Sequence, residues 1–372
     1  MKKIVVVLLL ACLTLPVFAG GGSEGASAPA PAAAAPAAPA AAAGGSIKTS
    51  ADAAAYLKGK NIRGVIGSTA VTGDTYLTAD LFARFVSEKY GCNMKIDPIG
   101  AGRALQEVVS AKPDGGTVMM FHDMTYLGVL FGAYDAEDYK LEKFLVGGTY
   151  AYSTADCFAA SANAPYKTIA ELGKWMKDNP REIVKFAVEA GGVSQLCFNA
   201  VYEWVNQTYG KDVAARIKVF VTGSTDAKLQ ALWDGNCQVV YAVATALQQY
   251  TKPGVDPKLR LNIIGISAGE RYESETWPTF KEQGITLEGK PFVFSKEYYM
   301  FYPTGMPTDF IAAMDIAIAD ICKSPAYSDA VKKLGFLPQA KGSAETKDYI
   351  YAKRDSLTGL IANAPNFDDL TK

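Results

Sequence analysis

One histidine, His122, occurs in 372 residues. With so little imidazole and no clustered carboxylates, the chain has no metal-ligand constellation. Charge of one sign is missing too. Thirty-seven Lys and Arg stand against 38 Asp and Glu, which leaves no electrostatic footprint for nucleic acid. The six cysteines are far apart, so neither a Cys-x-x-Cys redox pair nor a zinc ribbon is present. No internal repeat recurs at a fixed short period, which excludes a solenoid.

What is there begins with an address. Lys2-Lys3 precede an apolar run, Ile4 to Leu15, too short to span a bilayer. Pro16-Val17-Phe18-Ala19 offers small residues for cleavage, so residues 1–19 read as a signal peptide. Leu9-Leu10-Ala11-Cys12 also loosely resembles a lipobox, with a lipid anchor at Cys12 as the alternative. Either way the expected location is periplasmic or otherwise extracytoplasmic. Residues 20–46 are an Ala/Pro-rich linker that cannot bury a core. Cleavage leaves Cys92, Cys157, Cys197, Cys237 and Cys322, an odd count. They read as buried small hydrophobes, or as holding a disulfide among Cys157, Cys197 and Cys237.

From residue 50 onward β-rich runs alternate with helical patterns, which argues for an α/β protein with mainly parallel sheets. Strands are expected at Asn61–Gly67, Met94–Pro98, Thr117–Phe121, Ile183–Val188, Ile217–Val221, Gln238–Ala242 and Leu261–Ile266. Helices are expected at Asp74–Tyr90, Ile169–Asp178, Ser194–Tyr209, Thr225–Trp233 and Phe310–Cys322. In the first of these, Leu77, Leu81, Phe82, Phe85 and Val86 share a face. Thr168 with Glu171 makes a capping box for the second. The aromatic run Ser295–Gly305 reads as a packed strand.

Three strands end in small-residue loops that open a helix: Gly67 to Asp74, Ala190 to Ser194, and Thr222 to Asp226. Helix N-termini carry unpaired N–H donors and about half a positive charge. Two of them facing across a cleft would hold a carboxylate without any Arg. His122, beside Asp123 at a strand end, is either a solvated loop residue or a ligand contact. "GISAG" at Gly265–Gly269 matches a nucleophile elbow with Ser267, but the only His lies upstream of it. "GAGRAL" at Gly100 lacks the third Gly of a dinucleotide loop.

Several segments, in consistent order from Ile62 to Phe336, resemble the solute-binding receptors of tripartite tricarboxylate transporters, the Bug-type receptors. They include "IGAGRALQEVVSAKPDGGTVMM", "APYKTIAELGKWMKDNP", "AGGVSQLCFNAV", "TGSTDAKLQALWDGNCQVV", "GISAGERYESETWPTFKEQGI" and the "YPTGMPTDF" segment with its following helix. The resemblance implies a type II periplasmic-binding-protein architecture: two α/β domains around a central ligand cleft, with two hinge crossings. Domain 1 would comprise 47–153 with 263–372, and domain 2 residues 154–262. The crossings would fall near Tyr150–Cys157 and Arg260–Gly265.

It implies no enzyme activity and no cofactor. It implies a small organic carboxylate as ligand and the transporter's membrane subunits as partners. The grip would come from loop amides around Ser68, Thr69, Ala70, Val71, Thr72 and Asp74, and around Gly191, Gly192 and Ser194. His122, Thr222 and Asp226 complete the candidate set. Asp74 takes the place of the family's loop Asp; Asp80 does so in a competing register. Ala70-Val71 stand where the family has a Gly pair, Val193 where it has a Gly, and Thr222 where it has a Lys. Two other readings of the chain are a serine hydrolase using Ser267, and a binding fold repurposed as a surface or sensory interaction protein.

Overall fold

The computed structural model describes residues 46–153, 156–271, 275–287, 289–362 and 364–371. The expected signal peptide, its Cys12 alternative and the linker up to residue 45 lie outside these residues. Ser46, assigned to the linker, is tied to the fold: its N–H and Oγ donate to the Asp309 carboxylate at 2.7 and 3.0 Å.

Helix α1 (Ser50–Leu57) opens under a capping box, with Thr49 and Asp52 bonding each other's backbone N–H. Then come β1 (Asn61–Ile66), α2 (Asp74–Tyr90), β2 (Asn93–Pro98), α3 (Ala101–Ser110), β3 (Thr117–His122), α4 (Met124–Leu130), α5 (Ala136–Tyr139) and β4 (Phe144–Ser153). The next stretch holds β5 (Asp156–Ser161), α6 (Ile169–Asp178), β6 (Val184–Val188), α7 (Val193–Tyr209), α8 (Lys211–Ala214), β7 (Ile217–Val221), α9 (Thr225–Trp233), β8 (Val239–Val243), α10 (Ala244–Gln248) and β9 (Leu261–Ile266). A short antiparallel pair, β10 (Thr286–Leu287) and β11 (Lys290–Pro291), precedes β12 (Lys296–Pro303), α11 (Thr308–Cys322), α12 (Pro325–Lys333), β13 (Leu337–Lys341), α13 (Ser343–Ala362) and α14 (Phe367–Leu370).

Two sheets organise these elements, in the orders β13-β4-β12-β3-β1-β2 and β7-β6-β8-β5-β9. They are mixed, not mainly parallel. The βαβ units pair β1 with β2 and β3, and β6 with β7 and β8, in parallel. The strands that bring the chain into each sheet from the other, β5 and β12, run against that direction. The chain leaves the first sheet at Ser153 and enters the second at Asp156. Its return lies beyond the expected Arg260–Gly265. All of β9, through Ile266, still pairs with β5, and the first sheet is re-entered only at Lys296. A boundary at 262/263 would cut a strand.

The cores follow from side-chain periodicity. Leu81, Phe82 and Val86 of α2 are buried as expected, but Leu77 is exposed. It lies about 140° around the helix from Phe82 at roughly 100° per residue; Thr75, Thr78 and Ala79 fill the stripe instead. At α6, Thr168 Oγ1 accepts the Glu171 N–H at 3.0 Å, while the Glu171 carboxylate takes the Lys167 N–H rather than that of Thr168. All eight residues of β12 are buried. The end of β1 admits only glycine, because a Cβ at Gly67 would lie 2.0 Å from the Phe121 ring.

Two features tie the C-terminal elements down. Lys353 of α13 donates to Asp123 at 2.8 Å, to the Ser295 carbonyl at 2.7 Å and to Glu297. Tyr126 and Tyr299 hydroxyls also donate to Asp123, at 2.7 and 3.0 Å, so this buried acid has a full set of donors. Beyond α13, Phe367 of α14 meets Phe198 of α7 edge to face, centroids 5.4 Å apart.

Removing one member of a buried ion cluster strands the others, which costs about 3–5 kcal/mol. Lys353→Met is therefore expected to lower the urea midpoint by that equivalent, and Lys353→Met with Asp123→Asn and Glu297→Gln to recover part of it. A Cβ at Gly335, where φ is +87°, would lie 1.8 Å from Thr245 Oγ1 of α10. Gly335→Ala is expected to cost about 1–3 kcal/mol, read from the same denaturation curves.

Candidate functional site

The first loop satisfies itself more than a bare amide cradle would. Ser68 Oγ accepts the Ala70 N–H and donates to the Ala70 carbonyl, both at 3.0 Å. The Ser68 carbonyl accepts the Gly100 N–H at 3.2 Å. Thr69, Val71 and Thr72 are exposed at the rim. Asp74 turns inward at the start of α2, where its charge suits the helix dipole. Its Oδ2 accepts from Tyr298 OH at 2.8 Å and from Lys296 Nζ. Asp80, the competing register, faces the other way and pairs with Arg84 at 3.1 Å.

The second loop is clipped as well. Ser194 Oγ accepts the Glu189 N–H at 2.8 Å and donates to the Glu189 carbonyl at 3.0 Å. The Gly191 N–H donates to Gln195 Oε1 at 2.6 Å. Gly191 has φ +77°, and a Cβ there would lie 2.9 Å from Ala133 Cβ, in the turn after α4. A Cβ at Gly192 would stand at ordinary contact distance, 3.8 Å, from Met124 Sδ at the start of that helix. The loop of the second sheet thus rests on the α4 region of the first. The free donors left at this point are the first-turn N–H groups of α7, which have no intrahelical acceptor.

The third loop contributes less of what was expected. The Thr222 N–H extends the sheet by donating to the Val188 carbonyl at 3.0 Å. Asp226 sits on the exposed side of α9, and Lys228, two residues on, is buried. His122 is not a solvated loop residue. It is 9% exposed, its Nδ1 accepts the Met124 N–H at 3.2 Å, and its ring lies edge-on to Tyr298 at 5.8 Å. Burial, then the Lys296 ammonium, pushes its pKa down to about 4, so the ring is neutral at pH 7.

Charged residues absent from the candidate set dominate this seam. Lys296, the first residue of β12, is 5% exposed and joins Asp74 of the first sheet to Asp156 of the second, 3.6 Å from its Oδ1. Burial acts against both charges of the Lys296–Asp74 pair. Their mutual attraction prevails, holding Asp74 well below the usual carboxylate range and Lys296 above the usual lysine range. Burial raises the Asp156 carboxyl, with Lys296 opposing. It also raises Glu189 and lowers Lys228, each opposed by the other's charge. The signal that could have found Lys296 is a charge inside an aromatic run that reads as fully buried, since lysine is rarely buried without a partner.

Ser267 has no elbow geometry. It is fully buried, its Oγ donates to the Phe294 carbonyl at 2.8 Å, and no helix follows β9 directly. Its side chain serves the packing of β9 against the segment that precedes β12. Cys92, Cys157, Cys197, Cys237 and Cys322 are all free thiols, so no disulfide joins Cys157, Cys197 and Cys237. Among the described residues no group of His, Cys, Asp and Glu could hold a metal ion.

Solved structures share this fold at low sequence identity. A periplasmic transporter structure is 20% identical, with a TM-score of 0.68 over 82% of this chain and 97% of its own. MatC from Rhodopseudomonas palustris, with bound malate, is 19% identical, with a TM-score of 0.65 over 81% and 99%. Rpa4515 of R. palustris, with adipate, is 16% identical, with a TM-score of 0.67 over 82% and 99%. The architecture is that of periplasmic binding proteins, as the sequence segments implied. No curated protein sequence matches the chain. The family described as tripartite tricarboxylate transporter family receptor matches residues 86–364, three quarters of the length, and the chain belongs to that family.

Proposed function

We propose that this protein is an extracytoplasmic solute-binding receptor. It captures a small organic acid between the two sheets and delivers it to the membrane subunits of a tripartite tricarboxylate-type transporter. The observation that carries the reading is Lys228. The residue is 4% exposed, its ammonium lies 5.4 Å from the Tyr241 ring centroid, and it makes no hydrogen bond or ion pair among the described residues. Glu189 offsets the burial of this charge only through space, so the ammonium keeps its donors for a ligand carboxylate. The α7 N-terminus adds donors and a favourable dipole. Malate and adipate in the R. palustris structures are ligands of the same chemical kind.

In this reading Ser68, Thr69, Ala70, Val71, Thr72 and Asp74 form one lip of the cleft. Gly191, Gly192, Ser194 and Thr222 form the other, with His122 and Lys228 deeper inside and Asp226 outside. The two lobes follow the two sheets, with the return passage after β9, and closure is a hinge motion about both passages. The ligand needs no cofactor or metal, and the expected leader would carry the receptor to the periplasm or another extracytoplasmic location.

A thermal-shift screen of carboxylates should reveal a ligand, since a concentration of about 100 times Kd adds roughly 2.7 kcal/mol. Against that ligand, Lys228→Met is expected to weaken binding about 10- to 150-fold by calorimetry, the equivalent of one charge-assisted hydrogen bond of about 1.5–3 kcal/mol. Ser267→Ala should bind as the wild type does. Wild-type affinity in the Lys228 variant would remove the basis of this reading.

A further inference from the structure

We propose that the ligand carries a protonated amine as well as a carboxylate, and that Asp156 receives the ammonium group. The inference rests on the receptor reading above and names the chemical class of its ligand.

The first observation is Asp156 itself. It begins β5, where the chain enters the second sheet, and it is 0% exposed. Neither carboxylate oxygen accepts a hydrogen bond from any described residue. The cation beside it, Lys296, stands 3.6 Å from Oδ1 and gives its hydrogen bond to Asp74. The buried hydroxyl of Tyr241, on the neighbouring strand β8, is close enough to act on Asp156 but stands outside hydrogen-bond geometry. An ionised carboxylate has about four acceptor sites. Leaving them all dry costs more than leaving a neutral group so. The nearby acid Asp123, equally buried, has a full set of donors, so the fold elsewhere satisfies its interior acids.

The second observation is the charge balance at the seam. Asp74, Asp156 and Glu189 face Lys296 and Lys228, and His122 is neutral. Acidic side chains outnumber basic ones here, three to two. A simple dicarboxylate would add two more negative charges to a water-poor site with an acidic excess. A zwitterion adds no net charge. Its carboxylate goes to Lys228 and the α7 N-terminus, and its ammonium goes to Asp156, with the Tyr241 hydroxyl as a further acceptor. Glu189 makes no ion pair with Lys228 and so leaves that ammonium to the ligand.

The test is calorimetry at pH 7 with matched pairs: aspartate beside succinate, glutamate beside glutarate, alanine beside propionate. At least one amino acid should bind tenfold or more tighter than its deamino partner. In Asp156→Asn, which keeps the shape and removes the charge, that preference should shrink towards one while the deamino acid changes little. Deamino acids that bind as well as or better than their amino partners would overturn the inference and leave the receptor reading standing. So would an undiminished preference in a folded Asp156→Asn. If neither member of any pair binds, and malate and adipate also fail, both readings fall. The wild-type comparison decides the matter even if the variant does not fold.

Discussion

Lys296 is the residue on which the seam depends. It sits where β12 re-enters the first sheet, buried, with Asp74 on one side and Asp156 on the other. Take the ammonium away and two acids from different sheets would face each other through a medium that screens poorly. The charge therefore does two jobs at once. It keeps Asp74 ionised at the mouth of α2, and it lets the strand ends of both sheets meet without repulsion. A lysine here is expensive to bury, and its position at the joint between sheets makes sense of that expense.

The next residue of the same strand repeats the idea on the opposite face. Successive side chains of a strand alternate, so Lys296 points to the seam and Glu297 points to α13. There it meets Lys353, with Asp123 as the second acid. One dipeptide thus feeds two separate ion clusters. Asp123, next to His122 at the end of β3, ties the two together in sequence, since His122 lies against Tyr298 and Asp123 accepts the Glu297 N–H at 2.8 Å. The result is a β3–β12 pair whose far end is polar on both faces while its middle stays apolar.

Much of the fold was legible because it rests on local rules. Helix α2 spans the residues its apolar spacing suggested, and α6 begins at its Thr cap. The mixed sheets were not legible, because strand direction is set by which strand carries the chain between sheets, a long-range property. The site was legible only in outline. Loops were identified from small residues at helix entries; in the structure the first meets Lys296 through Asp74, and the second rests on the α4 region. But Ser68 and Ser194 spend their hydroxyls on their own loops. A sequence cannot tell a donor offered outward from one turned back. The burial of Lys228 and Asp156 was hidden for a different reason: each is an ordinary charged residue until the neighbouring strands reveal its surroundings. The resemblance places a lysine at 222, where threonine stands; the buried lysine of this segment, Lys228, lies six residues on, within α9.

The C-terminal segment brings a consequence for movement. α13 is riveted to the first sheet through Lys353, and α14 sits on the second through Phe367 against Phe198. The sheets are therefore strapped by a third length of chain besides the two strand passages. Any rotation that parts them has to slide one aromatic ring over another or swing about the short joint between those helices. In the proposed receptor the strap would limit how wide the jaw can gape, so the ease with which a guest enters would be set partly at the tail of the polypeptide, away from the groups that would touch it.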